Sequence, residues 1–142
     1  MTPAEMALLH AAAFDTPRPW SEAEFDATLA APGSFVLCSA GGFVIGRLIA
    51  DEAEVLTLAV DPAHRRRGIA RGLLDRFIAH LQAKGASSVF LEVSSENTAA
   101  IALYHTAGFK RVGHRRAYYK APDSRRIDAF VFTRFVGPVR SA

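Results

Sequence analysis

The chain has 142 residues, half of them hydrophobic and 22% charged, with one cysteine and 17 basic against 14 acidic side chains for a net charge of +3. Such a composition suits a single domain over residues 1–142 and excludes an intrachain disulfide framework, because Cys38 has no second cysteine to pair with. No basic leader opens the N-terminus, and the longest uncharged stretch, Ala27 to Gly46, is broken by Pro32, Gly33, Gly41 and Gly42, so a cytoplasmic protein without a spanning helix is expected.

Met6, Leu9, His10, Ala13 and Phe14 recur at helical spacing, and Pro17 and Pro19 close that segment. Ser21 followed by Glu24 forms a capping-box pattern that starts a second helix running to about Ala31, ended by Pro32 and Gly33. Phe35 to Cys38 and Phe43 to Ala50 read as a hairpin turned at Gly41 and Gly42, and Val55 to Val60 as the next strand. From Ile69 the set Ile69, Leu73, Leu74, Phe77, Ile78 and Leu81 keeps the 3.6-residue period and stops at Lys84 and Gly85. Ser88 to Val93 is a buried strand, Thr98 to Ala107 a helix with Ser95 or Asn97 as cap, and Val112 to Tyr119 and Arg126 to Phe135 are two more strands around a Pro122-Asp123 turn. The strand-helix-strand unit in the middle requires parallel neighbours and the flanking hairpins antiparallel ones. The fold class expected is α/β, one mixed and mostly antiparallel sheet of six to seven strands with a central parallel pair and helices on both faces.

Charge is divided along this order. Residues 1–63 carry nine carboxylates against two arginines, a net −7, and residues 64–142 carry fifteen bases against five acids, a net +10. Fourteen of the bases are arginine, whose planar guanidinium suits bidentate anion contacts. Three of them, Arg65 to Arg67, lie where the strand ending Val60-Asp61-Pro62 turns into the helix opened by Gly68-Ile69-Ala70. That helix start has no Ser, Thr, Asp or Asn to cap it, and its free N–H groups, macrodipole and adjacent guanidiniums together make a phosphate or pyrophosphate site.

Arg66-Arg67-Gly68-Ile69-Ala70, with Arg65 or Arg66 in the first motif position by register, resembles the R/Q-x-x-G-x-G/A coenzyme A loop of the GNAT (Gcn5-related) N-acetyltransferases, and Asn97 to Phe109 is similar to that family's N-x-x-A-x-x-L-Y-x-x-x-G-F signature. The Pro19-Trp20-Ser21 segment, Arg115-Arg116-Ala117-Tyr118-Tyr119 and Asp128-Ala129 narrow the likeness to RimI-type members, which acetylate the N-terminal alanine of a small-subunit ribosomal protein. The resemblance implies the GNAT fold, acetyl-CoA as donor and a protein N-terminus as partner, with no membrane and no required nucleic acid. It implies cofactor contacts from Leu58, Ala59, Val60, Arg66, Arg67, Gly68, Ile69, Ala70, Arg71, Asn97 and Tyr104, the strand residues offering backbone N–H groups where the sheet splays.

Acetyl transfer to an amine needs a base for the amine and a proton for the departing thiolate. Glu92, inside the apolar run Val89 to Val93 on the face of Phe90, reads from the strand alone as a base or as a carboxylate on a wet face or in an ion pair, and Tyr104 as core packing or an acid; the resemblance implies that Glu92 is the general base and Tyr104 the general acid. Trp20, Tyr118 and Tyr119 are expected to line the acceptor groove, and Glu22, Glu24 and Asp26 to favour a cationic amine there. The five histidines lack metal-ligand spacing, so no metal is expected. Two alternatives stand beside this reading: a GNAT enzyme acting on a small amine, and a basic RNA- or ribosome-binding module using Arg65 to Arg67, Arg115, Arg116, Arg125 and Arg126.

Overall fold

The computed structural model describes residues 1–15 and 17–137; residues 138–142 of the expected domain lie outside the described residues. The elements follow in the order α1 (Pro3–Ala13), α2 (Glu22–Ala30), β1 (Ser34–Ser39), β2 (Gly42–Ile49), β3 (Glu52–Val60), α3 (Ile69–Ala83), β4 (Ser88–Ser94), α4 (Thr98–Thr106), β5 (Lys110–Lys120) and β6 (Arg126–Phe135), with a 3-10 turn over Pro62–His64. Six strands form one sheet in the order β1-β2-β3-β4-β6-β5, in which β3 and β4 are parallel and every other pair is antiparallel. The fold expected from the sequence is the fold observed.

Local chemistry accounts for the helix boundaries. In α1 the Thr2 hydroxyl accepts the Glu5 N–H and the Glu5 carboxylate accepts the Thr2 N–H, and Ser21 and Glu24 repeat this reciprocal cap at α2. Asn97 caps α4 by accepting the Ala100 N–H at 3.1 Å. Alternation along β2 separates two cores. Val44 joins Leu74, Phe77 and Leu81 of α3 and Tyr104 of α4 on one face, while Phe43 and Ile45 join Met6 of α1 and Phe25 of α2 on the other. Gly46 permits the closest approach of α3 to the sheet, since a Cβ there would sit 2.3 Å from the Phe77 ring.

The second core encloses His10, which the helical spacing already placed on the apolar face of α1. His10 is 1% exposed, against the rings of Phe14, Trp20 and Phe25. The Trp20 N–H donates to its Nδ1 at 3.1 Å, which puts the proton on Nε2, where it donates to the Thr57 hydroxyl at 3.0 Å. One imidazole thereby ties α1 to β3 and to the segment entering α2. Burial lowers its pKa to about 4, the Glu24 charge opposing this only partly. The unfolded chain takes up the proton from pH 6.5 downward while the folded chain refuses it until about 4, so stability falls as pH drops through this window. Denaturant titrations should show a loss of about 3 kcal/mol between pH 7 and pH 4 from this group. His10→Leu should lack that acid-side slope and be less stable at pH 7, with Thr57 and the Trp20 N–H left unpartnered.

Candidate active site

The parallel pair holds together over only three positions, Glu52 with Ser88, Ala53 with Val89 and Glu54 with Phe90. Just beyond, β2 pairs Gly46 with Val55 and Ile45 with Thr57, which leaves Leu56 without a partner. Such a bulge sharpens the local twist, and from this point on no residue of β3 pairs with β4. The backbone of Leu58 to Val60 consequently has no strand on that side and fronts a cavity.

This cavity, about 570 Å³, runs from Leu58, Ala59 and Val60 past His64, Arg65 and Arg66 to Gly68, Ile69, Ala70 and Arg71 at the start of α3, and is closed by Asn97, Ala99, Ala100 and Leu103 of α4 and by Ala13 and Phe14 of α1. Gly68 caps α3 in the left-handed conformation, φ 73°, and offers no side-chain hydrogen bond, so the first-turn N–H groups face the cavity as the sequence leads one to expect. A Cβ on Gly68 would meet no atom within 4 Å, which leaves that backbone open to a ligand. Arg66 also has positive φ, 64°, an arrangement costing about 1 kcal/mol for a non-glycine residue. Among the described residues Arg65, Arg66 and Arg67 have no carboxylate partner, whereas Arg71 pairs with Asp75 at 3.0 Å. Open amides, a helix N-terminus and free guanidiniums fit a pyrophosphate. Nine of the expected cofactor residues line this wall; Arg67 and Tyr104 do not. Ala13, Phe14, His64, Ala99, Ala100 and Leu103 were not anticipated. The small residues of the α4 first turn were the signal that could have exposed Ala99 and Ala100, since bulk there would close the groove.

Glu92 lies past the last parallel pair, its side chain 20% exposed on the sheet face opposite Leu91 and Val93. Its Oε1 is 3.0 Å from Arg115 Nε, and the Arg115 guanidinium sits 5.3 Å from the centre of the Tyr118 ring. The Tyr118 hydroxyl lies against the same carboxylate, and that contact pushes its phenol up. A backbone device on β5 delivers these groups. Between the pairs Arg115–Ala129 and Tyr119–Ile127, three residues of β5 face Asp128 alone. Asp128 accepts the Ala117 N–H at 2.8 Å and contacts His114 Nε2 at 2.7 Å, holding Ala117 at φ 50°. The Arg-x-x-Tyr-Tyr and Asp-Ala segments are thus the two sides of one wide bulge.

Tyr119 joins the two expected proton-transfer residues. Burial, then the Glu92 charge, raises it to about 12. Tyr104, 7% exposed and edge-on to Phe109, is pushed up first by burial and then by Tyr119. Both phenols therefore carry their protons throughout the neutral range.

A second cavity of about 520 Å³ adjoins the first and shares Ala13, Phe14 and Asn97 with it. Its other walls are Asp15, Ser94, Glu96 and the β5–β6 turn from Ala121 to Arg125, with Ile127 beneath. Trp20 reaches neither cavity and is half-buried against His10 and Phe25. Glu24 is occupied by Arg18 at 2.8 Å and by its capping box. The carboxylates that do face the second cavity are Asp15, Glu96 and Asp123. Arg115 and Arg125, counted at the sequence level toward an RNA surface, are held by Glu92 and by Glu96 with Asp123.

The splayed parallel pair, the uncapped arginine-flanked helix and the α4 wall define the class: the chain belongs to the acetyltransferase (GNAT) family, whose model matches residues 6–109. Within it, the chain is 39% identical over 111 residues to the [ribosomal protein bS18]-alanine N-acetyltransferase of Escherichia coli K12, covering 75% of each chain. It is 40% identical over 128 residues to the N-alpha-acetyltransferase RimI of Mycobacterium tuberculosis, covering 84% of this chain and 77% of the relative. The crystal structure of the ribosomal-protein-S18-alanine N-acetyltransferase from Escherichia coli superposes with a TM-score of 0.85 at 33% identity, over 97% of this chain and 89% of that one. No helix among the described residues is long and apolar enough to cross a membrane, and no group of His, Cys, Asp and Glu among them could hold a metal ion.

Proposed function

We propose that this chain is a one-domain cytoplasmic enzyme that moves the acetyl group of acetyl-CoA to a protein N-terminal α-amine, the alanine of a small-subunit ribosomal protein being the acceptor that its relatives suggest. The observation that carries the reading is the groove between the parted strands, which joins unpaired β3 backbone to the uncapped N-terminus of α3 and opens into a separate charged cavity. Leu58 to Val60 would hold the pantetheine arm by main-chain hydrogen bonds, and Arg66, Gly68, Ile69 and Ala70 the pyrophosphate. Arg67, exposed beside them, would add long-range attraction for phosphate. Acetyl-CoA supplies an activated acyl carbon.

Glu92, positioned by Arg115, draws the proton from the incoming amine directly or through a water, since an α-amine of pKa about 8 is mostly protonated at neutral pH. Tyr104, buried behind the groove-lining Leu103, would offer its phenol proton to the departing sulfur. Tyr118 and Tyr119 line neither cavity and would act from β5 through Glu92, while Trp20 shapes the site by fixing His10 and the end of α1. The first test is calorimetric. Wild-type protein should bind acetyl-CoA, and Arg66→Glu should weaken binding by at least about 30-fold, since one charge-assisted phosphate contact becomes a repulsion. RNA binding with a steep salt slope and no acetyl-CoA affinity would support the basic-module reading instead.

A further inference from the structure

We propose that Arg125 is a specificity residue of the acceptor site, its ion pair with Glu96 setting which charge an acceptor peptide carries just beyond the reacting amine. This rests on the peptide-acceptor reading above. The second cavity meets the cofactor groove at Ala13, Phe14 and Asn97, so a chain whose amine reaches the acetyl group continues into it.

Arg125 spans two of that cavity's walls. Its Nη1 is 2.9 Å and its Nη2 3.4 Å from the Glu96 carboxylate on the β4–α4 connection, while Nε is 3.0 Å from Asp123 on its own turn. The Arg125 N–H also donates to Asp123 at 3.1 Å, which fixes the turn but leaves Glu96 as the partner on the far wall. The side chains of Arg125, Glu96 and Asp123 are 59%, 51% and 60% exposed, so an incoming charge can replace either member of the clasp at small cost. Asp15 adds a third carboxylate with no cation partner among the described residues. Three carboxylates against one guanidinium favour a cationic acceptor, and Arg125 moderates that preference.

The test uses three alanine-initiated peptides differing only in a second residue of Arg, Gln or Glu, with kcat/KM measured for wild type, Arg125→Ala and Glu96→Gln at low salt. Wild type should prefer the Arg peptide. Arg125→Ala frees Glu96 and Asp123 and should widen the Arg-to-Glu ratio about five-fold, the size of one exposed charge pair. Glu96→Gln frees the guanidinium and should narrow the ratio by about the same factor. Both changes should appear in KM rather than kcat and shrink at high salt. A clasp that serves only as a strut moves all three peptides alike in both variants, and that result would overturn the proposal. If wild type acetylates small amines and none of the peptides, the acceptor reading falls and this inference with it; peptide turnover with unshifted ratios removes the inference alone.

Discussion

Glu92→Gln should lower kcat on a preferred acceptor by about 10²- to 10³-fold while leaving the affinity for acetyl-CoA within about two-fold of wild type. The separation follows from position. Glu92 is outside the wall of the cofactor groove and faces the side of the sheet where Arg115 and Tyr118 meet it. An amide keeps the shape and one hydrogen bond to Arg115 but cannot accept a proton from the amine. Raising the pH deprotonates the acceptor itself, so the deficit of Glu92→Gln should shrink between pH 7 and pH 9.5, as an α-amine of pKa about 8 passes to its free form. A variant deficit that stays constant over that range would place the role of Glu92 in binding geometry instead.

Tyr104→Phe should cost about 10²-fold in kcat, with little effect on the acetyl-CoA Kd. Here the pH dependence has the opposite character. Burial and the neighbouring Tyr119 push the Tyr104 phenol up, so it holds its proton across the whole assay range and its removal should cost the same factor at every pH from 6 to 9. Full transfer from so weak an acid to a thiolate of pKa about 8.5 is uphill, which makes Tyr104 a hydrogen-bond donor that shares its proton as the sulfur leaves. An acetyl donor whose thioester carries a better leaving thiol should therefore recover much of the loss. The phenylalanine keeps the edge-on packing with Phe109, so the change should not unfold the chain.

The parts of the fold that local pattern dictates were legible. Six apolar residues at helical period and a glycine at each end define α3, and the Ser21–Glu24 cap starts α2, both where the sequence puts them, whereas the matching Thr2–Glu5 cap of α1 was not read from the sequence. What escaped is what distant segments do to one another. Val112 to Tyr119 alternates like an ordinary strand, yet Asp128 on the next strand draws out the Ala117 N–H and makes the bulge that aims Tyr118 at Glu92. The parting of β3 from β4 coincides with one unpaired residue, Leu56, which a run of apolar side chains does not reveal. Trp20 in a proline-rich segment resembled a groove residue, but a buried imidazole takes its backbone N–H and turns it into the core. The cavity beside Arg125 is assembled from the end of α1, the α4 cap and the β5–β6 turn, and no window of sequence contains it.

On the proposed function, acetyl-CoA and a protein N-terminus meet in this groove. Incubating the wild-type protein with acetyl-CoA and a panel of acceptors, a ribosomal-protein N-terminal peptide beginning with alanine, the same peptide with a blocked α-amine but free lysine, and a set of small amines, and reading thiol release with mass spectrometry of the products, tests it most directly. Rapid release is expected with the free-α-amine peptide, one acetyl group being placed on that amine, and little with the blocked peptide or the small amines. Preferred turnover of a small amine, or acetylation of the blocked peptide on lysine at the same rate, would contradict it.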